Sequence, residues 1–291
     1  PEGQGVYAAV LTPKGKLIAD VRLFRRGDEL LVDMPATARE ALLAHLRKYV
    51  PPLYARFEDL SGWWGVLGVY GPRSCELLGR VLGIQLPASG AEDAFMLVPR
   101  NAAELVATRT RYAGADGYDV LAPAAELPLI WRGLLEAGAR PLGHATLEVL
   151  RIEAGRPRWG AELDEGVIPL EADLAQRAIS MTKGCYTGQE VIVRILHRGH
   201  VNRLLRGLLL GDIPVPTPGT PLLREEKPVG HVTSACHSPR HGQTIGLGYV
   251  RREVQPPAQL ALGSPAGPAA WAVELPFPER PSEAVSDPLP E

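Results

Sequence analysis

One cysteine in this chain is set up to be displayed instead of packed. In Lys183-Gly184-Cys185-Tyr186-Thr187-Gly188-Gln189-Glu190 the thiol lies between two glycines, and Val191, Ile192, Ile195 and Leu196 follow at helical spacing. Glycine tolerates positive φ, so the stretch reads as a tight loop leading into an amphipathic helix with Cys185 near its N-terminus. Lys183 and Arg194 add positive potential there, which favours the thiolate, the form that attacks electrophiles, exchanges disulfides and binds metal. Nucleophile, redox group and metal ligand are equally open on this pattern. A cluster role needs partner ligands, because iron–sulfur clusters take about four thiolates.

Other chemistry-bearing residues read more plainly. His197-Arg198-Gly199-His200 and Cys236-His237 with His241 lack the paired spacing of a structural zinc site, so no metal is expected. The run Arg194, His197, Arg198, His200, Arg203, Arg206 has no interleaved aromatics, and reads as a solvated face or an anion contact instead of an RNA surface. Cys75 falls one turn from Leu78 and Leu82 and is expected to be a buried small hydrophobe. Trp63-Trp64 is expected to pack instead of serving as a ligand platform.

The elements that must hold these residues follow from pattern and punctuation. Residues 6–11 and 17–24 read as a hairpin through Thr12-Pro13-Lys14-Gly15, and 29–34 as a third strand. A helix over 36–49 stops at Pro51-Pro52; strands are expected at 54–60 and 65–70, with a helix carrying Cys75 after them. Short strands at 95–98 and 102–108, a turn-rich loop over 109–117 into 118–121, and helices at about 124–138 and 145–153 complete an α+β pattern of ferredoxin-like type. An irregular stretch covers 155–169, and a short helix over 171–181 leads into the cysteine loop. After that, strands at 204–210, 219–223, 228–234, 245–250 and 259–262, separated by Pro and Gly turns, predict a small β-barrel. The expected domains are 1–205, 206–275 for the barrel, and a flexible proline-rich tail over 276–291.

A chain of 291 residues, 45% hydrophobic and with net charge −2, has material for two or three cores and no global attraction to nucleic acid or anionic membrane. Three cysteines without short pairing argue against a disulfide framework and for a reducing compartment. The opening Pro1-Glu2-Gly3-Gln4-Gly5 has no basic and apolar leader regions and no apolar run reaches the roughly 18 residues of a membrane span, so a cytoplasmic location is expected.

The octapeptide Lys183–Glu190 is similar to the signature of the YgfZ family of folate-binding proteins, relatives of the aminomethyltransferase (T-protein) of the glycine cleavage system. Gly114-Ala115-Asp116-Gly117-Tyr118-Asp119, Leu150–Gly155, Trp159–Leu163, Ile168–Glu171, Gly230–Ser234 and Ile245–Val250 extend the resemblance in order along nearly the whole chain. It implies two intertwined ferredoxin-like α+β subdomains around a central folate-binding hole, plus a C-terminal antiparallel β-barrel, with tetrahydrofolate or a one-carbon-substituted form as cofactor. Relatives hold the pterin with acidic residues and the folate carboxylates with basic ones, which maps onto Glu171 for the pterin and onto Arg198, with Arg194 and His200, for the tail. A pterin edge suits a carboxylate because it offers adjacent N–H donors.

Two departures bear on activity. The aminomethyltransferases carry paired aspartates where this chain has Ala19-Asp20, leaving Asp20 as the folate-site carboxylate, and their Gly-Glu-Asp-Gly turn is Gly114-Ala115-Asp116-Gly117 here. Thinned carboxylates together with the Cys185 thiol and Lys183 point to the YgfZ role: support of iron–sulfur cluster assembly or repair and thereby tRNA modification, with iron–sulfur enzymes or cluster-assembly proteins as partners. The alternative is a T-protein-like transfer of a one-carbon unit to tetrahydrofolate. The chain is also expected to start late relative to such proteins, which have a helix and strand ahead of the position of Gly5.

Overall fold

The computed structural model describes residues 3–100 and 103–278; the expected tail from 279 onward lies outside the described residues. Packing divides the chain into two units, one of residues 1–10 and 18–143, the other of 11–17 and 144–291.

The first unit opens on β1 (Val6–Leu11), β2 (Leu17–Arg26) and β3 (Glu29–Asp33), which form a sheet in that order. After α1 (Arg39–Tyr49) come β4 (Trp64–Tyr70), α2 (Ser74–Leu82), β5 (Phe95–Arg100), β6 (Ala103–Thr110), β7 (Gly117–Pro123) and α3 (Leu127–Glu136). The four strands make an antiparallel sheet in the order β4-β7-β6-β5.

Strand alternation sorts the two faces of that sheet. Leu105 and Val120 join Leu77, Leu78, Leu82, Ile130 and Leu134 under α2 and α3, while Val106 and Leu121 meet Phe24 and Phe95. Each such side chain contributes about 1.5–3 kcal/mol on full burial. Between the sheets, Arg22 donates to Asp33 at 2.7 Å and to Asp119 at 2.6 Å, and Tyr70 OH donates to Asp119 at 3.0 Å. Burial alone would depress the Arg22 pKa, but the two carboxylates more than offset this and raise it, so the guanidinium stays charged.

The expected strand over 54–60 does not form. Leu53 and Tyr54 are 89% and 80% exposed, and residues 55–60 run without a ladder partner among the described residues. Trp64 packs beside Phe24 with the Arg26 guanidinium 5.5 Å from its ring, whereas Trp63 is exposed. Cys75 packs against the α2/α3 core and its thiol donates to the Leu86 carbonyl.

The second unit begins at α4 (His144–Glu153), continues through a 3₁₀ turn at Pro169–Ala172, α5 (Ala175–Ala178) and α6 (Gln189–Arg198), and ends in the barrel. Its strands are β8 (Arg203–Gly211), β9 (Pro221–Arg224), β10 (Lys227–Ser238), β11 (Gln243–Arg251), β12 (Ala258–Leu262) and β13 (Ala269–Val273), closed in the order β10-β11-β8-β13-β12-β9. The mixed α/β architecture with an antiparallel C-terminal barrel is the one expected. The helix expected over 171–181 breaks because Asp173 takes a left-handed φ of 56°.

α4 is anchored to the barrel by charge buried with its partners. Arg151, fully buried, donates to Glu148 and Glu162 at 2.6 and 2.8 Å and to Ser234 Oγ at 2.8 Å. The hydroxyl of Thr233 donates to Glu162 at 2.8 Å, so the buried carboxylate is satisfied from both the helix and β10.

Candidate functional site

Asp20 sits in the first unit. Ala19 beside it is wholly buried, so alternation turns Asp20 to the opposite, half-buried face of β2. There the Tyr7 hydroxyl, from β1, donates to Asp20 Oδ2 at 3.0 Å. The phenol gives that carboxylate oxygen a fixed hydrogen-bond direction. In the Gly114–Gly117 turn, Ala115 is exposed, and Asp116 is tied to Arg111 at 2.8 Å. That hydrogen bond holds the Asp116 carboxyl below its usual range. An apolar groove of about 430 Å³, lined by Leu31, Leu42, Leu46, Phe57, Trp64 and Val66, also belongs to this unit and contains none of the predicted site residues.

Glu171 sits in the second unit, buried in the 3₁₀ turn that Pro169 opens. Its Oε2 accepts from Arg203 Nε and Nη2, both at 3.1 Å, and from the Ile168 amide at 3.4 Å. Among the described residues no group donates to Oε1. Arg203 starts β8 and lies 4.4 Å over the Tyr249 ring. Burial pushes the Tyr249 phenol pKa far up, and as a neutral donor it gives its proton to the Glu162 carbonyl at 2.8 Å. His231 packs on the same ring, 6.1 Å between centroids, and burial together with Arg203 lowers its pKa. The carboxylate, the guanidinium and the ring that steadies it form one cluster.

The Lys183–Glu190 loop lies in the second unit as well. Cys185 is exposed, and the Lys183 ammonium stands 5.0 Å from the Tyr186 ring. Gly188 caps α6 with φ 82°, and a Cβ there would meet the Thr12 carbonyl at 2.5 Å and Gly15 Cα at 3.2 Å. Ile192 anchors the helix by full burial, leaving Arg194, Arg198 and His200 exposed on the same segment. Among the described residues none of these three basic groups makes an ion pair. The remaining thiols are withdrawn: Cys75 is hydrogen-bonded, and burial pushes Cys236 up to about 12.

Of the expected residues, Asp20 thus stands in the first unit, and Glu171, Lys183, Cys185, Arg194, Arg198 and His200 in the second. Tyr7, which donates to Asp20, carries no motif signal of its own, and Tyr249, which packs on Arg203, lies within the Ile245–Val250 motif without being singled out there. Arg203 is visible in the sequence only as one charge in a basic run.

Residues 1–183 match the family model of the GCVT N-terminal domain, and residues 203–274 that of the glycine cleavage T-protein C-terminal barrel domain. The chain belongs to the glycine cleavage T-protein (GCVT) family. An aminomethyltransferase of Rubrobacter xylanophilus is 35% identical over 279 residues, which is 96% of this chain and 74% of that protein. One from Thermus thermophilus is 31% identical across 94% of this chain and 76% of its own length. The fold is that of the glycine cleavage system aminomethyltransferase T from Bartonella henselae, with a TM-score of 0.84 at 21% identity, covering 96% of this chain and 77% of that one.

These relatives correct the expected function. A role in iron–sulfur assembly or repair, and through it tRNA modification, rested on the cysteine octapeptide and on the missing carboxylates at 19 and 115; the likeness to proteins named aminomethyltransferase runs over 96% of the chain. With Cys236 buried and Cys75 hydrogen-bonded, Cys185 has no second displayed thiol among the described residues, and none of their His, Cys, Asp and Glu groups is arranged to hold a metal. No helix among the described residues is long and apolar enough to cross a membrane.

Proposed function

We propose that this protein is an aminomethyltransferase that binds tetrahydrofolate and passes a one-carbon unit to it. The observation that carries the reading is the match to aminomethyltransferases along both the N-terminal domain and the barrel. The transfer proposed takes an aminomethyl group held as a thioether on a dihydrolipoyl carrier, forms methylene-tetrahydrofolate, returns the carrier thiol and releases ammonium.

Each unit offers residues suited to part of this. Asp20 is the carboxylate proposed to assist transfer, since the Tyr7 hydroxyl bond orients a group able to steady positive charge on the reacting carbon or accept a proton. Glu171 is proposed to accept pterin N–H donors, and Arg194, Arg198 and His200 to face the folate carboxylates, a role suited to exposed cations that make no ion pair among the described residues. Cys185 and Lys183 mark a displayed loop whose thiol the transfer itself does not need. The octapeptide is then a variation of the loop that caps α6.

Thermal unfolding with and without ligand tests the binding half. Tetrahydrofolate at 100 times its dissociation constant should stabilise the protein by about 2.7 kcal/mol. Cys185→Ser should keep both that shift and the transfer activity. An unchanged Tm at saturating tetrahydrofolate contradicts the proposal.

A further inference from the structure

The geometry points to Arg203 as the positioning residue for the Glu171 carboxylate, itself held in place by the face of Tyr249. The inference rests on the folate reading above and assigns the division of labour within it. A glutamate that must read ring N–H groups has two oxygens and a flexible stem, and an unrestrained carboxylate loses affinity by rotating. Here Oε2 is taken up by Arg203 Nε and Nη2 at 3.1 Å and by the Ile168 amide at 3.4 Å, while Oε1 is left to accept. The restraint comes from two sequence-distant places, the 3₁₀ turn that carries Glu171 and the first residue of β8.

Arg203 is restrained in its turn. Its guanidinium lies 4.4 Å from the centroid of Tyr249, whose hydroxyl is fixed on the Glu162 carbonyl at 2.8 Å. Glu162 is the buried partner of Arg151, so the clamp on Glu171 is built on the charge network that joins α4 to the barrel. A lysine at 203 would keep the charge but lose the paired N–H geometry, which separates a positioning role from simple charge balance.

The test is a double-mutant cycle on tetrahydrofolate binding, read by calorimetry, with circular dichroism and Tm measured on every variant. Arg203→Met and Glu171→Gln should each weaken binding about ten-fold, the scale of losing a charge-assisted hydrogen bond. The double variant should bind no worse than Glu171→Gln alone, because Arg203 works through that carboxylate. Arg203→Lys, the variant least able to disturb folding, should recover part of the loss. Independent, multiplying losses, or an Arg203→Met protein that binds like the wild type, would overturn the positioning role while leaving the folate reading intact. A wild-type protein that does not bind tetrahydrofolate overturns both.

Discussion

A carboxylate proposed to take part in group transfer works only if its lone pairs are held in a fixed direction, and on β2 the Tyr7 phenol donates to one oxygen of Asp20. Asp20→Asn preserves an acceptor for the Tyr7 hydroxyl while removing the charge, so the fold should stand and kcat should fall by about a hundred-fold. Tyr7→Phe keeps the charge and loses only its orientation, and should lower kcat by about five-fold in the same assay. His231 yields a pH prediction. Its folded pKa lies below the unfolded value, because it is buried and Arg203 is near. The unfolded chain therefore binds the extra proton first, and His231's stabilising contribution is intact above about pH 6.5 and drains away as pH falls below it. A Tm profile from pH 8 to pH 5 should slope downward more steeply for the wild type than for His231→Gln.

At the scale of elements, the Gly188 cap of α6 is the most exacting joint. Its φ of 82° and the Thr12 carbonyl 2.5 Å from a would-be Cβ leave no room for a side chain. Gly188→Ala should cost at least about 2 kcal/mol, visible as a Tm lower by about 5 °C or more. An unchanged Tm would show that the loop shifts freely. The sequence made that joint legible, since glycines bracketing a cysteine ahead of an apolar period announce a turn and a helix. The barrel was equally readable, because short strands rich in Leu, Val and Ile recur between Gly and Pro turns, as on β8, β10 and β11. β13 escaped notice because Ala269, Ala270 and Ala272 carry too little apolar bulk to mark a strand. Residues 54–60 erred the other way: Tyr54, Phe57 and Leu60 suit a strand by propensity, but a strand needs a partner edge. Asp173, too, ended a helix that the pattern would have continued.

Across the whole molecule, what sequence reading captured was the likeness to the wider glycine cleavage T-protein family, while Asp20, Glu171 and Cys185 were read from contiguous motifs. The partners remained hidden, because Tyr7 to Asp20 and Arg203 to Glu171 are contacts that folding makes across 13 and 32 residues. The functional error has the same origin. A local octapeptide with a thiol outweighed a likeness spread over the full length, and the absent carboxylates at 19 and 115 were given more weight than the oriented one at 20. The side chain at 19 turns into the core, away from the face of β2 that carries Asp20, and residue 115 lies on an exposed turn. We propose that residues 206–275 form a barrel domain in their own right, although by packing α4 through α6 group with it.

The most direct measurement is a single-turnover reaction of the purified protein with tetrahydrofolate and an aminomethyl-loaded dihydrolipoyl carrier protein, following methylene-tetrahydrofolate and ammonium together. The account predicts that the two products appear in equal amounts, at rates unaffected by Cys185→Ser and sharply reduced by Asp20→Asn. A wild-type protein that forms neither product, while still binding tetrahydrofolate, would contradict it.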